Sequence, residues 1–135
     1  MSGPPKHYSS LLRARRGYLG LTGLDGVAQV VPVCFTWAGD AIWIAINEEG
    51  QLLDRWITFL VDRWDEDWTK LSWLVAKGTA TILPEGEEAD RAMDALESKY
   101  SEYLKYPHYG TILRVDVEEW EGIDALEPEP DDWGG

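Results

Sequence analysis

Val27 to Asn47 reads VAQVVPVCFTWAGDAIWIAIN, two apolar runs separated by Ala38-Gly39-Asp40. The first run, Val27 to Trp37, is rich in Val, Phe, Thr and Trp, side chains that suit a pleated, packed surface. The second, Ala41 to Ile46, carries apolar residues on both parities, and a strand of that kind is buried on both faces. Gly39 and Asp40 supply turn chemistry, so the stretch predicts a β-hairpin. Its length and apolarity predict a place at the centre of a sheet, away from any edge.

Outward from this hairpin the pattern stays β-rich. Gly17 to Gly23 predicts a first strand, joined by Leu24-Asp25-Gly26 to the long one. Its glycines at 17, 20, 23 and 26 are too few and too proline-poor for collagen, and no helix follows them as a dinucleotide fingerprint requires. They predict bends and close backbone approach instead. Upstream, His7 to Arg16 predicts a short helix, with Ser9 or Ser10 as N-cap and arginines at the C-terminal end of the dipole. Downstream, Trp56 to Asp62 predicts a strand, Arg63 to Lys70 a carboxylate-dense loop, and Leu71 to Leu83 a long strand with a bulge or bend at Gly78. Ala89, Ala92, Met93, Leu96, Tyr100, Tyr103 and Leu104 share one helical face, so Glu87 to Lys105 predicts an amphipathic helix stopped by Pro107. Tyr109 to Trp120 alternates as a half-buried final strand. Strands in series with one late helix predict a mainly β fold, a small antiparallel barrel with flanking helices.

The whole chain narrows the function classes. At 135 residues it predicts a single domain, residues 1–126, followed by an acidic tail, 127–135, solvated and mobile. The net charge of −13, from 12 basic and 25 acidic residues, argues against a nucleic-acid partner. That charge is uneven: Lys6, Arg13, Arg15 and Arg16 give residues 1–24 a charge of +4 with no acid among them. No apolar stretch is long enough to span a bilayer, and the N-terminus lacks an apolar signal core, so no membrane is expected. Cys34 is the one cysteine, which fits a reduced, cytoplasmic protein.

Candidate sites are few. Cys34 lies mid-strand with only His7 and His108 as histidine bases in the chain, and reads as a buried, inert thiol. Asp62, Asp65, Glu66 and Asp67 lack the glycine and closing glutamate of a calcium loop and read as a solvated loop, with no metal site expected. Arg13, Arg15 and Arg16 have forks that match phosphate oxygens, although paired surface charge accounts for them as well. Eight tryptophans exceed what a core of this size needs. Most fit core or dimer packing, and Trp64, Trp68 and Trp73 are the first candidates to stack on a planar ligand.

From Leu11 to Trp120 the chain resembles the pyridoxamine 5'-phosphate oxidase-like split barrels, and within them the branch of probable deazaflavin-dependent oxidoreductases. The resemblance rests on LLRARRGYLGLTGLDGVAQVVPVCF (Leu11 to Phe35) and on FLVDRWDEDWTKLSWLVAKGTATIL (Phe59 to Leu83). Lys99 to Tyr103, a K-Y-x-x-Y helix end, and Val117 to Trp120, a closing V-x-x-W, fit as well. It implies a six-stranded antiparallel split barrel, a homodimer, and flavin mononucleotide (FMN) or the deazaflavin coenzyme F420 as cofactor for hydride transfer to a small substrate. By resemblance, Val31, Pro32, Val33 and Cys34 present backbone to the ring, Asn47 and Arg16 approach ribityl or phosphate groups, and Arg63, Trp68 and Trp73 close the groove. One segment departs from the family. Its basic turn and helix after the third strand are replaced here by Glu48-Glu49-Gly50, which repel a phosphate. A non-catalytic carrier of a planar ligand is therefore the alternative.

Overall fold

The computed structural model describes residues 3–22, 25–47, 56–108 and 110–124. Six strands, β1 (Gly17–Thr22), β2 (Ala28–Ala38), β3 (Ala41–Ile46), β4 (Trp56–Arg63), β5 (Ser72–Ile82) and β6 (Thr111–Asp124), close into one antiparallel barrel in the order β1-β2-β3-β6-β5-β4. The ring closes where Tyr18, Leu19 and Gly20 pair with Leu60, Phe59 and Thr58. The helix α1 (Glu87–Lys99) lies outside it, and 3-10 helices form at Lys6–Arg13 and Ser101–Leu104. The tail beyond Asp124, the acidic segment Glu48–Glu49 that replaces the basic turn, and Gly23, Leu24 and Tyr109 fall outside the described residues.

Strand alternation sorts the apolar side chains into two cores. Leu19, Phe35, Ile42, Ile44, Phe59, Val61, Leu74, Leu113 and Val115 fill the barrel, each at most 1% exposed. Phe35 and Phe59 meet edge to face with centroids 4.8 Å apart. The opposite parity of the same strands faces α1. Ala45, Leu83 and Ile112 pack there on Ala92, Leu96 and Tyr100, with Cys34, Trp43, Met93 and Tyr103 around them. This explains why β3 is apolar on both parities: one face closes the barrel and the other seats the helix.

The expected hairpin forms, with Cys34 to Ala38 paired to Ala45 to Ala41 and Gly39 at φ 61°, a region that favours glycine. One part of that reading is corrected: the ring of strands is closed, so the hairpin has no central place in a sheet, and the first half of β2 is exposed at Ala28, Gln29, Val30 and Pro32. The bulge expected at Gly78 is present as a register shift between Lys77 and Gly78. A Cβ at Gly78 would collide with the Asp116 carbonyl, so only glycine fits.

The helices also differ from expectation. The N-terminal one is a 3-10 helix entered from Pro5 without a side-chain cap. Ser9 is not its cap, because its hydroxyl turns back to donate to the Lys6 carbonyl at 2.9 Å. The amphipathic helix ends at Lys99 rather than Lys105. Tyr100 leaves helical geometry, φ −120° and ψ 89°, as its hydroxyl is drawn into the barrel wall. With the period broken there, Leu104 swings out to 75% exposure instead of joining the apolar face.

Candidate functional site

A cleft of about 410 Å³ opens beside the first half of β2, lined by Gln29, Val31, Pro32, Val33 and Cys34. Its position follows from strand lengths. β2 has eleven residues and β3 only six, so the β2–β3 ladder begins at Cys34↔Ala45. Ala28 to Val33 pair with β1 on one side, and no described residue pairs with them on the other. In an antiparallel ladder alternate residues direct their N–H and C=O away from a given neighbour. Among the described residues, the N–H and C=O groups that this stretch directs away from β1 meet no strand partner, and Pro32 has no N–H to offer. Ala45, Ile46 and Asn47 form one wall, and Ile82 with Tyr103, Tyr106, Pro107 and His108 forms another.

The lining is apolar with a few neutral polar groups. His108 Nε2 lies 3.1 Å from the Thr111 carbonyl oxygen, and its ring meets Tyr103 edge to face at 6.1 Å. Burial, and then hydrogen bonding with the Cys34 thiol, pushes the Tyr103 hydroxyl pKa up, so it stays protonated. Cys34 is half-buried and lines the cleft, which corrects the reading of a wholly buried thiol. Among the described residues no lysine or arginine lines this cleft.

Behind β2 sits a second polar cluster that ties the helix end to the barrel. The Tyr100 hydroxyl accepts from the Phe35 N–H at 3.2 Å and donates to the Arg15 carbonyl at 2.9 Å. Lys99 Nζ stands 3.6 Å from the Phe35 ring centroid and donates to the Leu12 carbonyl at 3.4 Å. Burial first, then the Arg15 charge, brings the Lys99 pKa down to about 8. Arg15 itself is held by Glu102 at 2.6 Å.

Known structures share this architecture. A candidate pyridoxamine 5'-phosphate oxidase of Corynebacterium glutamicum matches with a TM-score of 0.64 and 18% identity, over 84% of this chain and 87% of its own. An FAD-binding protein of Mesorhizobium loti gives 0.65 and 19%, over 83% and 87%. The heme storage protein HutZ of Vibrio cholerae gives 0.70 and 11%, over 91% and 95%. The fold is the six-stranded split barrel that these structures share. No protein-family model matches the sequence, and no curated protein does.

The split barrel gathers Val31, Pro32, Val33, Cys34 and Asn47 in the cleft and places the other expected residues elsewhere on the chain. Arg16 is exposed, its guanidinium 5.4 Å from the centre of the Tyr18 ring. Arg63 ends β4 and lines a different cavity. Trp68 is 57% exposed in the β4–β5 loop, and Trp73 is half-buried on β5 opposite Asp62 and Ile123. Tyr103, Tyr106 and His108 also line the cleft, without a signal in the sequence that assigns them to it. Tyr103 belongs to the K-Y-x-x-Y helix end, which marked it, but nothing local in the sequence brings His108 to β2. Among the described residues no group of His, Cys, Asp and Glu could hold a metal, and none of their helices is long and apolar enough to cross a membrane.

Proposed function

We propose that the cleft binds the planar ring of a flavin-type cofactor, FMN or coenzyme F420, and that the protein is an oxidoreductase acting on a small substrate. The observation that carries this reading is the open backbone edge of Ala28 to Val33 inside an apolar cleft. A flavin ring needs apolar faces together with backbone donors and acceptors along its pyrimidine edge, and a cleft of this volume is of ligand size. Val31, Pro32, Val33 and Cys34 hold the ring by backbone and methyl contact, and Asn47 reaches toward its side chain. Bound there, the cofactor supplies the hydride chemistry, while the protein orients it and keeps water from its faces. The ring fits these residues; the phosphate does not find a cation among them. Val27, Val30, Ile82 and Tyr106 expose 57%, 71%, 43% and 66% of their surface. We assign this apolar surface to a homodimer interface, with the protein in the reducing cytoplasm.

Titration of the purified chain with FMN and with F420, read by tryptophan quenching and visible absorption, tests the cofactor. Saturable binding that is lost in Val33→Trp supports it, and absence of binding of both removes it. A second reading, a non-catalytic carrier of a planar ligand, is favoured by the cation-free lining and by the imidazole of His108 in the wall. HutZ, which shares the fold, is a heme storage protein. A haem titration in which His108→Ala abolishes the absorption change, with no flavin binding, selects that reading.

A further inference from the structure

A second cavity, of about 420 Å³, lies where the N-terminal 3-10 helix crosses the end of β4. It is lined by Ser10, Leu11, Arg13, Ala14, Asp62, Arg63 and Trp64. Two of the lining residues are arginines, and they differ from most arginines of the chain; Arg16, over the Tyr18 ring, is the other described one without an ion pair. Arg15 pairs with Glu102, Arg91 with Glu87, and Arg114 with both Glu88 and Asp116. Arg13 and Arg63 form no ion pair with any described residue, although the chain carries 25 acids. The carboxylates next in sequence are otherwise engaged. Asp65 accepts from the Asp67 N–H at 2.8 Å, and Asp67 accepts from the Thr69 N–H and hydroxyl at 3.1 and 2.7 Å. Asp62 also lines the cavity, and it is not ion-paired to either arginine. Trp64 lines the same cavity and is 65% exposed.

We propose that this groove is a binding site for a small planar anion, an aromatic carboxylate or a phosphorylated heteroaromatic, separate from the cleft at β2. A net charge of −13 repels anions from most of the surface, so holding one requires local cations without partners of their own. Arginine forks match carboxylate and phosphate oxygens two at a time, and an exposed indole gives a planar ligand a face to stack on. Leu11, 4% exposed, anchors the helix beneath, so the site is built on the barrel wall and not on a loose segment.

The test is a proton–nitrogen correlation spectrum of the full chain in low salt, with the Trp64 indole signal identified by Trp64→Phe. Three probes are titrated: 2-naphthoate, the uncharged 2-naphthalenemethanol, and inorganic phosphate. The site predicts a saturable Trp64 shift with 2-naphthoate, weaker binding of phosphate, and none of the alcohol. Arg13→Ala and Arg63→Ala each lower the naphthoate affinity by about tenfold, the scale of one charge-assisted hydrogen bond, and the lysine variants restore part of it. Both side chains are exposed, so the variants keep the fold, which the rest of the spectrum verifies. The absence of a saturable shift, equal binding of the alcohol, or an unchanged affinity in the double alanine variant overturns the proposal.

Discussion

The two halves of β2 are continuous in sequence and alike in apolarity, yet they live in different surroundings. Cys34 to Ala38 pairs with β3 and lies between the barrel core and α1. Ala28 to Val33 pairs with β1 alone among the described strands and borders the cleft. Apolarity in the first case buys packing, and in the second it leaves apolar side chains exposed beside the cleft. The difference is set by the six-residue length of β3, a property of a neighbour and not of β2 itself.

Phe35→Ala should give the largest loss, because the ring is fully buried against Phe59 in the packed half. A cost of about 3–5 kcal/mol in urea unfolding is expected, and a loss under 1 kcal/mol would mean that the packed half is no tighter than the open one. Tyr100→Phe removes the hydroxyl that serves the Phe35 N–H and the Arg15 carbonyl. Leaving that buried N–H unmet should cost about 1–3 kcal/mol, and hydrogen exchange at Phe35 should accelerate relative to Val30.

Lys99 sharpens the comparison through pH. Its folded pKa of about 8 lies below the ordinary 10.5, so above pH 8 the unfolded state binds more protons than the folded one. Stability should therefore rise as pH increases from about 8 to 10. Above that the raised pKa of Tyr100 works in the opposite direction, since the unfolded tyrosine ionises first. Lys99→Met should be more stable than the parent at pH 7 and should flatten the rise, as read by thermal melts across that window. An unchanged slope would place the amine in water. Val30→Ser, in the open half, should move stability by no more than about 0.5 kcal/mol while weakening self-association, as light scattering would report.

The sequence revealed more of the barrel than of the site. Apolar runs, two-residue alternation and turn glycines located all six strands, because each is a property of a few neighbouring residues. Gly78 was readable as a bulge or bend because a glycine inside a strand marks a close backbone approach, which Asp116 supplies. What escaped was set at a distance. The helix was expected to reach Lys105, since Tyr103 and Leu104 keep the helical period. It ends at Lys99 because Tyr100 finds two backbone partners, in β2 and beside the N-terminal helix.

The chain by itself determined a single-cysteine, acidic, antiparallel β protein with one amphipathic helix, and the resemblance drawn from its residues agrees with the split-barrel fold found. That resemblance also named Val31, Pro32, Val33, Cys34 and Asn47 together, and all five line one cleft. Only the tertiary structure decided that Tyr103, Tyr106 and His108 complete that wall, while Arg63 joins Arg13 in another cavity. Strand pattern is encoded within a few residues, but which surfaces meet depends on barrel closure and relative strand length, which no local stretch specifies.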